Sequence, residues 1–394
     1  MRAARALYFT YYAALAALLP YLALYYQSAG LTGPQIGLLS GLMPLLGLIG
    51  APLWAEFADA TGRYRLVLAT SLGATIVFVL GLSLAASFVP MAVLVVLFAL
   101  AIAPVMPLVD HSVVEALGER AHEYGRQRIW GAYGWGITAP IVGWTTDRLG
   151  LGWIFPIYAV VMIAALVVTL RLPVPTAVAG HRFGAGLASM LRDTRWFGFL
   201  GTVFVSGICS SLVLTFLPLY WRALGGDLTL IGLGVTTAAI SELPVLAFGG
   251  ALLLRIGARR ILIAASLAWA VRLALYPLIA EPLWIAPVQL LHGPTFAAVW
   301  IAGVAYANHL APRGAGGAAQ GLFTGVSIGL GGFAGAILGG IAFEALGAQG
   351  MFGAGAALAL AAAALMALST RSDPSDDRNG RTRHGPHDVD ATRT

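Results

Sequence analysis

The sequence predicts an all-α integral membrane protein, with about twelve transmembrane helices in two parallel six-helix bundles. Three observations predict it. Of 394 residues, 59% are hydrophobic and only 10% charged, with a mean hydropathy of +0.84. Soluble domains carry about 25% charged residues, and no soluble core could hide so much apolar surface. Apolar runs of about 20 residues, enough to cross roughly 30 Å of hydrocarbon as helix, recur along nearly the whole chain. Period-2 alternation of apolar and polar residues is absent. Backbone groups in lipid must be bonded within a helix or around a closed barrel, so without barrel alternation the spans are helical.

The spans begin near Ala6, Gln35, Leu66, Met91, Ile129, Trp153, Phe197, Thr229, Ile261, Leu283, Ala318 and Met351. Residues 1–27 lack a polar region and a small-residue cleavage site, so the first span is expected to stay in place and not to be removed as a signal peptide. Cys209 is the single cysteine, which excludes an internal disulfide. With an even number of spans, the loops holding Arg63, Arg65, Arg120, Arg126, Arg171, Arg182, Arg192, Arg255, Arg259, Arg260 and Arg313 share one side with both termini, and only Arg148 and Arg222 face the other. That asymmetry satisfies the positive-inside rule and predicts cytoplasmic termini in a plasma (inner) membrane. The net charge of +6 therefore reports topology and not nucleic-acid binding. Glu115, Glu119, Arg120 and Glu123, around one inner loop, and Asp147, Glu281 and Glu344, near outer ends, read most simply as solvated.

A shift of about 195 positions aligns Leu22, Leu24, Tyr25 and Gly30 with Leu217, Leu219, Tyr220 and Gly225, and Ile36, Gly37 and Leu38 with Ile231, Gly232 and Leu233. Gly62 and Arg65 meet Gly257 and Arg260 in the same register. Two parallel halves related by an axis along the membrane normal follow, with a ligand expected at mid-depth between them. The expected divisions are an N-terminal bundle at 1–172, a linker at 173–193 punctuated by Pro173, Pro175, Gly180 and Gly184, a C-terminal bundle at 194–371, and a polar tail at 372–394 holding His384 and His387.

Several activities are excluded by what is missing. All 23 basic residues are Arg, so the Lys of a phosphate-binding GxxxxGK[ST] loop and the Schiff-base Lys of a retinal pump have no candidates. GVSIG at 325–329 matches a hydrolase elbow on paper, yet it lies inside a helix with no strand before it. No nucleophile and base stand at helical spacing, so an enzyme is not expected, nor a cofactor or metal. Gly321, Gly325 and Gly329, then Gly331, Gly335 and Gly339, fall at GxxxG spacing, which suits close helix packing within a monomer.

Charges inside the membrane cost several kcal/mol and persist mainly along pathways. Asp110, Arg128, Glu242 and Arg272 are such charges, and together they sum to zero. At 1.5 Å per residue, Glu242 lies about 18 Å from its helix end near Leu254 and Arg272 about 18 Å from its end near Arg260, so the two are expected to pair; His292 reaches a similar depth. A static pair that only locks the bundle is the alternative. His292 is the one group whose ordinary pKa, about 6.5, already lies near neutrality; a hydrogen-bonded core histidine is the blander reading. Arg128 and Trp135, seven apart, share one helix face, where Trp135 could stack on a sugar or an aromatic ring; an interfacial belt Trp is the alternative. Tyr8, Tyr11 and Tyr12 could border the cavity, whereas Tyr25 and Tyr26 read as belt residues.

The loop AEFADATGRYR, with Asp59, Gly62, Arg63 and Arg65, resembles the signature loop of the major facilitator superfamily, where acid and base brace helix ends as a gate. Leu254 replaces the acid in the second copy, GALLLRIGARR. The stretch PVMPLVDHSVVEALGERAHEYGRQRIWGAYGWG resembles the lactose permease and phenylpropionate permease branch through Asp110, Arg126, Arg128, Gly131, Gly134 and Trp135. SELP at 241–244, Arg272 and QLLHGPTF at 289–296, with Gln289 and His292, are similar to that branch as well, and the likeness covers residues 5–370.

The resemblance implies alternating access for a small organic solute, an aromatic acid or a sugar-like compound, in symport with protons. Arg128, Trp135, Asp110, Tyr8, Tyr12, His292 and Gln289 would bind it, and Glu242, Arg272 and His292 would carry the coupling. Thr295 stands where lactose permease-like proteins keep a titrating carboxylate, which makes Glu242 the leading carrier. An exporter, or a non-transporting receptor or scaffold of the same fold, are the other readings; a scaffold gains nothing from the mid-membrane charges.

Overall fold

The computed structural model describes residues 1–172, 190, 193–312 and 314–369, with the side chains of 59, 121, 122 and 194 outside that description. Most of the expected linker, the expected tail with His384 and His387, and Arg182, Arg192 and Arg313 therefore lie outside the described residues. What is described is helical. The N-terminal half comprises α1 (Arg2–Ser28), α2 (Gly33–Thr61), α3 (Tyr64–Leu84), α4 (Phe88–Arg120), α5 (Tyr124–Leu149) and α6 (Leu151–Thr169). The C-terminal half begins with α7 (Thr194–Ala223), α8 (Leu228–Ile256), α9 (Ala258–Leu278) and α10 (Pro282–Leu310).

Ten stretches are long and apolar enough to span a membrane, and two details bring the described helices to the expected twelve. Gly316–Ser369 is 54 residues, about 80 Å as straight helix, far more than a bilayer is thick. It folds back at Gly347, whose φ of 70° suits a residue without a Cβ, giving α11 (316–346) and α12 (348–369). The other addition is α5, which is of spanning length but less apolar because its charge-free middle, 129–146, is rich in Gly, Trp, Tyr and Thr.

Prolines sit inside α1, α2, α5, α7 and α8 at Pro20, Pro44, Pro52, Pro140, Pro218 and Pro244, tolerated because neighbouring helices and side chains satisfy the freed backbone. α10 departs furthest from regular helix. Its 3₁₀ turn Gln289–Leu291 and π segment Gly293–Ala297 flank His292, and Pro294 withholds a backbone donor there. The Ser241 hydroxyl of α8 accepts the Gly293 N–H at 2.9 Å. A second π segment, Gly325–Gly331, runs through α11, whose glycines pack against α7 and α2.

Met1, Ser369 and the turns at Gly62 and Gly257 mark one end, called here the terminal end. The two halves meet at the opposite end through two matched helix crossings. In one, Gly143 and Gly232 let α5 and α8 approach so closely that a Cβ on either would strike the Leu228 or the Ala139 carbonyl. In the other, Gly340 and Gly37 do the same for α11 and α2 against Gly33 and Ala336. The Thr236 hydroxyl donates to Gly136 O at 2.5 Å, and the Tyr21 hydroxyl of α1 donates to Ala139 O at 2.6 Å. Two side chains expected to be solvated take part: Asp147 accepts the Leu228 and Thr229 amides, and Glu344 accepts the Gly33 amide.

At the terminal end two braces lie within single halves. The Arg65 Nη2 donates to Leu172 O at 3.1 Å, and the Arg259 Nη2 donates to Ala367 O at 3.0 Å, cations seated on helix C-termini as the macrodipole favours. The expected acid–base brace at Asp59 falls on a side chain outside the description; Gly62 caps α2 in the left-handed conformation (φ 64°), and Arg63 is exposed. Tyr26 corrects the belt expectation: it is buried in the core, and Tyr25 packs edge-on to Phe155 at 4.6 Å.

Candidate functional site

Below the crossing of α5 and α8 the halves part, and the mid-depth charges lie just past that point. Arg128 is eight residues, about 12 Å, beyond Gly136 on α5; Glu242 is six residues, about 9 Å, beyond Thr236 on α8. Solvent reaches both sides: the side chains of Arg128 and Asp110 are 40% and 29% exposed, those of His292 and Glu242 21% and 27%. These partly exposed charges lie on the terminal-end side of the close crossing of α5 and α8, and the space between the halves there is referred to as the cleft.

The N-terminal half contributes a direct ion pair. α4 breaks at Ala103 and Pro104, and the helix resumed at Val105 presents Asp110. Arg128 Nη1 donates to Asp110 Oδ2 at 2.6 Å and to the Tyr124 hydroxyl at 3.1 Å, while Nη2 donates to the Tyr12 hydroxyl at 3.3 Å. The Tyr8 hydroxyl donates to Asp110 Oδ1 at 2.5 Å. Both carboxylate oxygens are thus engaged, and the planar guanidinium is held by three helices.

The C-terminal half is arranged differently. Arg272 on α9 is fully buried. Its Nε donates to the Tyr276 hydroxyl at 3.0 Å, Nη2 to Gln289 Oε1 at 2.7 Å, and Nη1 to Thr295 Oγ1 at 3.0 Å. Nη1 also lies 3.0 Å from His292 Nδ1, and His292 Nε2 lies 3.0 Å from Glu242 Oε1. A guanidinium only donates, so Nδ1 must accept; the imidazole proton then sits on Nε2 and is donated to Glu242. This network assigns a neutral histidine between acid and base. The expected Glu242–Arg272 contact is therefore corrected: the imidazole fills the space between them and relays the interaction. Protonation of Nδ1 would break the bond to Arg272.

Residues 2–354 match the MFS_1 like family. This chain belongs to that family. It is a transporter of the major facilitator type, and its membrane-spanning helices make it a multi-pass membrane protein. Among characterised relatives it is 30% identical to the maltose permease of Geobacillus stearothermophilus over 348 residues, 86% of each protein. It is 23% identical to the probable 3-phenylpropionic acid transporter of Escherichia coli (strain K12), over 76% of this chain and 80% of that one. The fold is that of the crystal structure of nucleoside transporter NupG, with a TM-score of 0.85 at 16% identity, covering 94% of this chain and 99% of that chain.

The transporter brings most of its sequence-predicted residues together, in roles that differ by position. Tyr12 is half-buried and faces Arg128, but Tyr8 is fully buried and props Asp110 from behind, and Tyr11 is buried edge-on to Tyr12. Gln289 is 4% exposed with its amide oxygen on Arg272 and its amide nitrogen donating to Tyr276, so it belongs to the shell of Arg272 and not to the cleft surface. Trp135 is half-buried two turns beyond Arg128. Three partners escaped the sequence reading: Tyr124, Tyr276 and Ser241. Tyr124 and Tyr276 stand four residues from Arg128 and Arg272 on the same helix faces, a spacing that could have flagged both.

Proposed function

We propose that the transporter is a proton symporter that moves a small hydroxyl-rich solute, sugar-like in character, by alternating access. Asp110, Arg128, Tyr12 and Trp135 form the binding face, and Glu242 carries the coupled proton with His292 and Arg272 behind it. The observation that carries this reading is the inventory of the cleft: two carboxylates and one guanidinium are open to it, while the second guanidinium, Arg272, is sealed. Asp110 and Arg128 balance each other and the remaining open charge is an acid, which suits a neutral ligand that offers hydroxyls better than one that brings another carboxylate. The 30% identity to maltose permease supports the same class. Trp135 would stack on the apolar face of a ring. Arginine on the terminal-end loops supports cytoplasmic termini in the plasma membrane, and the chain is taken to act as a monomer of two bundles, 1–172 and 194–371, joined by 173–193.

Uptake into proteoliposomes tests the reading. Radiolabelled maltose, uridine and 3-phenylpropionate are offered with and without an inward proton gradient. Gradient-driven accumulation of the sugar and not of the acid is expected; accumulation of 3-phenylpropionate alone would overturn the solute class, and gradient-independent uptake would overturn the coupling.

A further inference from the structure

Asp147 and Glu344 end α5 and α11 at the closed end of the molecule, and neither helix uses them for its own capping. The Asp147 carboxylate accepts the Leu228 amide at 2.9 Å, the Thr229 amide at 2.8 Å and the Thr229 hydroxyl at 2.7 Å. Glu344 Oε2 accepts the Gly33 amide at 2.9 Å. Each contact crosses from one half of the protein to the other, and each lands on the first amides of a long helix. Those amides have no partner within their own helix, and they gather the positive end of its dipole.

The two contacts are the same contact repeated. Gly33 and Leu228 are 195 positions apart, the period of the internal repeat, and Asp147 and Glu344 are 197 apart. The rungs beside them obey the same offsets: Gly143 on Leu228 O answers Gly340 on Gly33 O, Gly232 on Ala139 O answers Gly37 on Ala336 O, and Thr236 beside Gly136 answers Gly41 beside Phe333. Each receiving helix also caps its third amide with its own residue, Asp227 for α8 and Thr32 for α2, which leaves the Leu228 and Thr229 amides of α8, and the Gly33 amide of α2 ahead of Pro34, to the carboxylate from the other half.

We propose that Asp147 and Glu344 are a pair of gate latches that hold the end away from the termini shut in the state described here. Alternating access requires the halves to separate at that end in the other state. Separation pulls α5 from α8 and α11 from α2, so both carboxylates must let go of their amides. The glycine rungs bring the backbones close enough for the carboxylates to reach, and the carboxylates add a charge-assisted bond that exists only in the closed arrangement. Asp147, with three bonds against one, is the stronger latch.

Double electron–electron resonance tests this on the full-length protein in nanodiscs. Spin labels go on Ser87→Cys and Ala280→Cys, exposed positions in closed-end loops of the two halves, in a Cys209→Ala background. Asp147→Asn is expected to raise the ratio of the longer, open distance to the closed one at least fivefold, Glu344→Gln by less, and the double substitution by more than either. Asp147→Glu, which keeps the charge, should lie nearer the parent than Asp147→Asn does. An unchanged distribution in the double variant, with its thermal melt like the parent's, overturns the proposal. If the double variant does not fold, Glu344→Gln, which removes a single bond, decides: no shift toward the open distance overturns the proposal.

Discussion

Asp110 and Arg128 touch each other directly and both face the cleft, whereas Glu242 and Arg272 are held apart by an imidazole and only the acid is open to solvent. The two halves share one internal repeat, yet they place their charges in opposite ways. A direct pair whose arginine side chain is 40% exposed offers a solute donors and acceptors at once. A sealed cation with four neutral partners cannot meet a solute; it sets the field felt by His292 and Glu242 in front of it. The difference supports the proposal that recognition lies in the first half and coupling in the second.

The comparison breaks most visibly at Arg272. Its removal strands the partners arranged around it in the core, and deleting one member of such a buried charged network costs about 3–5 kcal/mol. Arg272→Ala should lower folded yield and the melting temperature sharply; a melt indistinguishable from the parent's would mean that the cation is no anchor. Arg128→Ala should do the reverse, leaving the fold intact and costing about 2–4 kcal/mol of solute binding, since nothing else in the cleft replaces a planar donor. Titration calorimetry reads it, and unchanged affinity removes Arg128 from the binding face. Trp135→Phe keeps an aromatic face and should lose about 1 kcal/mol of affinity with partial transport retained; a complete loss would give Trp135 a role beyond stacking.

Much of this was legible in the sequence because a bilayer is a strict solvent. Apolar length placed the helices, and the cost of buried charge singled out Asp110, Arg128, Glu242 and Arg272. Side-chain reach was not legible. Equal depth suggested that Glu242 and Arg272 touch, but depth along two helices says nothing of rotation about them, and His292 occupies the gap. Tyr8, Tyr26 and Gln289 turned inward for the same reason. Asp147 and Glu344 read as solvated ends because their partners are backbone amides about 80 and 310 residues away, which no local pattern marks. Their repetition at the repeat spacing was the available signal.

The division of labour between the halves is tested most directly by Glu242→Gln, measured in one proteoliposome preparation for both solute exchange at equal concentrations and accumulation driven by a proton gradient. Exchange needs no proton release, so it should continue; accumulation requires the empty carrier to return, and a permanently neutral residue 242 leaves Arg272 without its counter-charge on that return. Exchange retained with accumulation abolished is the predicted result. Proton-driven accumulation that survives in Glu242→Gln, or exchange that is lost together with it as in Arg128→Ala, would contradict the account.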